Sequence, residues 1–173
     1  MDWQITHRAD KWARAIADRH YSRVTPGAVQ FAPPGFALVL LTANHQALWV
    51  SSWQKETYAP YPGWICSLFR RESGPGPLAS ELIRQAVAVT RWAWGNPPMQ
   101  GMLTFIDPRK VRSVNPGWCF KMAGFQLAGR TQSGHVILRL APEAMPAPAI
   151  PNNAQLRLFD ESEVLDETPL SPA

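Results

Sequence analysis

Apolar and polar positions alternate over residues 2–6, which predicts a short strand. The period then changes, with Trp12, Ala13, Ile16 and Ala17 at helical spacing within residues 9–20. Thr25-Pro26-Gly27 and Pro33-Pro34-Gly35 enforce a loop after that helix. Residues 36–42 read as a buried strand, Asn44-His45 as a turn, and residues 47–53 as the returning arm of a hairpin. A Pro/Tyr-rich loop over residues 57–63 leads into a further strand at 64–69. Leu78, Leu82, Ile83, Ala86, Val89, Thr90 and Ala93 form one face of a long helix, which Gly95-Asn96-Pro97-Pro98 stops. A strand at 101–106 ends on Asp107-Pro108, and residues 115–123 make a short helix closed by Gly124. A hairpin of residues 125–129 and 135–140 around Ser133-Gly134 completes the pattern. Strands interleaved with three helices predict an α/β domain (α+β, with a mixed sheet).

With 173 residues and 46% apolar content, the chain has enough material for one core and one domain. Cys66 and Cys119 share no metal-ligand spacing and sit in apolar contexts, so both read as packed free thiols. No run reaches the ~18 apolar residues of a membrane span, and Met1 to Gln4 lacks the start of a signal peptide. A soluble cytoplasmic protein with no membrane partner is the expectation. Trp12, Trp49, Trp64 and Trp92 are expected in the core, with Trp53 and Trp118 free to line a site.

Charge is uneven. Residues 1–140 carry sixteen Lys/Arg against seven Asp/Glu, whereas residues 141–173 carry Arg157 against six acids. A basic body suggests a polyanionic partner, foremost nucleic acid, although a solubilising surface accounts for the same counts.

The run Phe69-Arg70-Arg71-Glu72-Ser73-Gly74-Pro75-Gly76-Pro77-Leu78 joins a strand to the long helix. Glycines that let the backbone approach, together with a helix N-terminus, make a place for a pyrophosphate. The turn lacks the Gly-Lys-Ser/Thr of a P-loop and the Gly-x-Gly-x-x-Gly of a dinucleotide site. Arg71-x-x-Gly74-x-Gly76 resembles the coenzyme A turn of the GNAT acyltransferases. Asn115 followed by Cys119-Phe120-Lys121-Met122-Ala123-Gly124-Phe125 resembles the second signature of that superfamily. The likeness spans roughly residues 2–140 and implies a GNAT-like acyltransferase fold. It also implies acetyl-CoA or a related acyl donor, held by Phe69, Arg71, Gly74, Gly76, Ser80, Asn115 and Phe120. Where this superfamily often places a proton-donating Tyr, the chain has Phe120, so acid catalysis has to come from elsewhere or the reaction differs.

His20-Tyr21 and Asp107 resemble the His-Tyr pair and post-strand Asp of the Mom-type phage DNA-modification proteins, a divergent branch of the superfamily. That resemblance implies His20, Tyr21 and Asp107 as catalytic residues, and as activity a modification of the exocyclic amine of adenine that protects phage or prophage DNA from restriction. Adenine N6 is a poor nucleophile, and a carboxylate at Asp107 accepting its proton would localise the lone pair. Tyr21 or Trp118 could wall a flipped base, and Arg109, Lys110, Arg112 and Lys121 could hold the single- or double-stranded DNA. A His20 that meets the last carbonyls of its helix, a plain Asp107-Pro108 turn and a solvated loop from Arg109 to Arg112 account for the same residues. His20 could instead bind a metal, but no second ligand at useful spacing appears, so the sequence does not support one.

From Ala141 the composition turns Pro/Ala-rich, which reads as an unpacked linker over the start of residues 141–173. Gln155-Leu156-Arg157-Leu158-Phe159 resembles the peptide by which bacterial replication and repair proteins dock on the sliding clamp, with Gln155, Leu156, Leu158 and Phe159 as the matching anchors. An acidic, disordered end follows. Two other readings fit the same residues: an ordinary N-acetyltransferase of a small amine or protein, and a non-catalytic DNA- or clamp-binding protein on a degenerate fold.

Overall fold

The computed structural model describes residues 1–55 and 60–154, and the docking-like peptide Gln155 to Phe159 lies outside them. Seven strands form one sheet: β1 (Trp3–Thr6), β2 (Ala37–Thr42), β3 (Ala47–Gln54), β4 (Gly63–Arg71), β5 (Met102–Ile106), β6 (Gln126–Arg130) and β7 (Val136–Leu140). Their spatial order is β1-β2-β3-β4-β5-β7-β6, antiparallel throughout except for the parallel β4–β5 pair. Three helices cover it: α1 (Lys11–Ala17), α2 (Ala79–Trp94) and α3 (Trp118–Met122). The expected mixed sheet with interleaved helices is present.

Both longer helices start on local chemistry. Asp10 caps α1, its Oδ1 accepting the amides of Trp12 and Ala13 at 2.8 and 2.9 Å. At α2 the Glu81 carboxylate accepts the Leu78 amide at 3.0 Å. Leu82, Ile83, Ala86, Val87 and Val89 of α2 join Trp3, Trp49, Trp64 and Leu138 in the larger core on one side of the sheet. On the other side, α1 buries Ala13, Ile16 and Ala17 against Val39, Leu48, Val50 and Leu68. A bond from Trp3 Nε1 to the Leu82 carbonyl, 2.8 Å, ties β1 to α2.

Several sequence expectations are corrected. Trp12 is 52% exposed and stacks on His45 at 5.0 Å, and Trp92 is 41% exposed, so neither is core. Leu78 and Ala93, assigned to the buried face of the long helix, are exposed because that face narrows at both ends of α2. Trp53 packs against Trp64 and Trp94.

Residues 141–154 are not an unpacked linker. Met145 is buried, Arg91 Nη1 donates to the Pro146 carbonyl at 2.7 Å, and the Ala149 amide reaches the Ala88 carbonyl at 3.1 Å. Asn153 bonds both backbone groups of Ile5. Among the described residues, no helix is long and apolar enough to cross a membrane.

Candidate active site

The parallel pairing between β4 and β5 covers only Trp64–Cys66 with Met102–Thr104. Beyond it β4 stays with β3 as far as Arg71, and β5 stays with β7 as far as Ile106, so the two central strands part. The β3–β4 register also breaks here: Ser51 faces Cys66 and Val50 faces Leu68, leaving Ser67 as a bulge. Ser67 Oγ lies 2.8 Å from Ser52 Oγ. A cleft of about 210 Å³ opens at the parting. That is below the ~300 Å³ at which pockets for drug-sized ligands begin, so it takes a planar ring or a short acyl chain, not a whole coenzyme. Its walls include Cys66, Ile106 and Phe120 from the α2 side of the sheet and Leu68 from the α1 side.

His20 and Tyr21 both line this cleft, from the turn that follows α1. Arg70 on β4 holds that turn in place, donating to the Arg19 carbonyl at 2.8 Å and to Glu72 at 2.9 Å, while Glu72 also pairs with Arg19. Further on, Asp18 accepts from Arg23 at 2.8 Å and from the Gly27 amide at 2.9 Å, which orders the proline-rich connection. The His20 and Tyr21 rings are 4.4 Å apart.

Burial, helped by the charge of Arg70, lowers the His20 pKa to about 4, so the ring is neutral at pH 7. The Ser22 amide donates to His20 Nδ1, which assigns the neutral ring's proton to Nε2. Burial pushes the Tyr21 phenol up, while the Asp107 backbone N–H acts in the opposite direction. Tyr21 is therefore protonated, and next to the end of β5.

Phe69 and Phe120 also line the cleft, packed edge-to-face at 5.8 Å. Cys66 and Cys119 are free thiols on the same walls, and burial raises the pKa of each. Gly117 starts α3 at a φ of 79°, and a Cβ there would meet the Ile106 and Leu138 side chains, so glycine lets the helix sit directly on the sheet.

Asp107 is held differently from the sequence expectation. It is buried at the edge of the cleft, beside Tyr21, and its carboxylate accepts from Arg109 at 2.8 and 3.0 Å. His135 Nε2 approaches it to 3.7 Å, a residue that no spacing in the sequence connects to it. The Arg109 side chain first, then its amide, and beyond these His135, hold the carboxyl down at about 2. The carboxylate is thus ionised and gripped by Arg109, and that pair has to open before Asp107 can accept a proton from a substrate.

Arg71 does not point a free fork at a ligand: it donates to the carbonyls of Pro77, Glu72 and Gly74 at 3.0, 3.2 and 2.9 Å. It braces the turn. Gly74 and Gly76 have φ of 139° and 132° with open space over each Cα, and Ser80 lies half-buried in the first turn of α2. Backbone amides and the helix N-terminus can meet a phosphate here, and Arg71, which lines a cavity with Gly76 and Pro77, keeps two guanidinium N–H groups beyond those three bonds.

Asn115 is drawn to α3, its Oδ1 accepting from Lys121 Nζ at 2.6 Å. Lys110, Arg112 and Lys121 are exposed around the β5–α3 connection, as is Arg109 despite its bond to Asp107. Among the described residues, no group of three or more His, Cys, Asp or Glu could hold a metal ion. Comparisons with protein-family models, curated proteins and solved structures find no match.

Proposed function

We propose that the protein is a GNAT-like group transferase that modifies a base amine in DNA, with the exocyclic amine of adenine as acceptor. The observation that carries this reading is the cleft between the parting central strands, entered by His20 and Tyr21 and lined by Phe69 and Phe120. A seven-stranded sheet whose parallel pair opens beside a glycine turn agrees with the acyltransferase resemblance.

The residues present fit an acyl donor such as acetyl-CoA or a related thioester. The backbone of Gly74 and Gly76 and the start of α2 near Ser80 would hold its phosphates, and Phe69 and Phe120 its reactive end. The donor supplies an activated carbonyl and a leaving group that departs as an anion. Tyr21 keeps a proton on its Oη at neutral pH and can give it to such an anion, the role that Phe120 cannot fill. His20 presents Nε2–H as a donor that orients a carbonyl or a ring nitrogen. An aromatic amine nitrogen becomes strongly acidic on acylation, so its proton passes to water without a strong base. Asp107 is a positioning residue that fixes Arg109 and the end of β5.

The tail belongs to the same proposal. Gln155, Leu156, Leu158 and Phe159 would dock on the bacterial sliding clamp and keep the enzyme at DNA in the cytoplasm of the bacterial host. Leu158→Ala with Phe159→Ala should abolish clamp pull-down while the domain stays folded.

Mass spectrometry of nucleosides from expressing cells tests the activity. A new adenine-derived mass is expected, lost with Tyr21→Phe. Unmodified DNA under good expression of the folded protein would sink the reading.

A further inference from the structure

Val114 is fully exposed at the tip of the β5–α3 connection. Trp118 and Met122, four residues apart on α3, are 56% and 51% exposed. Helical residues at that spacing share a face, so α3 turns an apolar face to solvent. The tip is held against the helix: the Trp118 amide donates to the Asn115 carbonyl at 3.1 Å, and Lys121 reaches Asn115 Oδ1. Gly117, seated on Ile106 and Leu138, fixes the start of α3 on the sheet. The neighbouring residues Val111, Gly117, Cys119 and Phe120 line the cleft. An exposed apolar edge thus stands beside a buried pocket, and the exposed cations Lys110, Arg112 and Lys121 are interleaved with it.

We propose that this edge is a duplex-opening wedge for DNA, with Val114 and Trp118 as the side chains that enter the base stack. Its charge decides the occupant. Between residues 108 and 125 the exposed charges are all positive, and a duplex offers phosphates on the outside and apolar base faces within to match them. Apolar side chains that enter a base step offset part of the unstacking cost and hold open the space that an extruded base leaves. The extruded base is then beside the cleft. What happens to it there rests on the transferase reading, but the wedge itself does not.

The test uses the full chain and a duplex carrying 2-aminopurine in place of one adenine, with Val114→Ala plus Trp118→Ala as the variant. Both residues are exposed, so the variant should fold, and circular dichroism checks that it does. Wild-type binding is expected to raise 2-aminopurine emission, and the variant is expected to bind with little or no rise. Modification of a duplex oligonucleotide should fall at least ten-fold more in the variant than modification of the same single strand. An emission rise with no modified base on either substrate keeps the wedge and removes the transferase reading. The wedge is overturned by wild-type binding without an emission rise, by no binding, or by equal emission from both proteins. A concentration-dependent dimer that Trp118→Ala dissolves would assign the edge to a second copy of the chain and overturn it too.

Discussion

Tyr21 and Phe120 line one cleft, the first from the turn after α1 and the second from α3. A phenol absent at position 120 is thus available from a distant part of the chain. Burial keeps that phenol protonated. Tyr21→Phe removes only an oxygen and retains the ring against His20. On the proposed transferase reading, the expected result is a fall in kcat of about 100-fold or more, with KM and the unfolding midpoint little changed. An unchanged kcat would assign the proton to another donor.

His20 should leave a signature in stability against pH. Its folded pKa is about 4, whereas an unfolded histidine titrates near ~6.5. Between those values the unfolded chain binds the extra proton and the folded one does not, so stability rises with pH through that window. Acidification from pH 7 to pH 5 should therefore destabilise the wild type more than His20→Gln in urea unfolding. An imidazole NMR titration that places His20 near pH 6.5 would contradict the burial argument.

Asp107 carries the opposite sign. Its folded carboxyl sits at about 2, below the ~3.9 of an unfolded aspartate, because Arg109 grips the charged form. The stability this adds is complete above pH ~4 and is lost as the pH falls through about 2. The wild type should exceed Asp107→Asn in urea midpoint at pH 7, and the gap should shrink markedly by pH 2. A difference that stays at its full pH 7 size down to pH 2 would trace to packing and not to charge.

The order of elements could be read from the chain because each has its own local cause. The Asp10 cap, the two-residue period of the strands and the stop at Gly95 all act within a few residues. The site was legible only in part. His20, Tyr21, Phe69 and Phe120 do converge, but Cys66, Ser67 and Thr104 become cleft residues only because β4 leaves β5 after three pairs and bulges at Ser67. The Asp107–His135 approach depends on β5 pairing with β7, Ile106 opposite Val136, which no local pattern encodes. Trp12 was misplaced for a related reason. It has the spacing of a buried position, yet α1 is only seven residues long and leaves that position at its rim, against His45.

The segment after β7 shows how composition can mislead, and it gives the sharpest stability prediction. Prolines from Pro142 onward suppress any periodic signal, but a strap can be held by single side chains and carbonyls without periodicity. Met145 is buried, and Arg91 bonds the carbonyls of Met145 and Pro146. Asn153 accepts the Ile5 amide at 2.9 Å and donates to the Ile5 carbonyl at 2.8 Å, standing in for a neighbouring strand on the open edge of β1. Burial of one Met side chain contributes roughly 1.5–3 kcal/mol. Each of these hydrogen bonds adds about 1 kcal/mol net. Against a total stability of about 5–15 kcal/mol for a domain, losing the strap is a large change. A chain ending at Ala154 should keep the urea midpoint of the full chain, whereas one ending at Leu140 should lose several kcal/mol or fail to fold. Asn153→Ala alone should cost about 1–2 kcal/mol. Equal stability of the two shortened chains would show that the strap contributes nothing to the domain and would restore the reading of this segment as a linker.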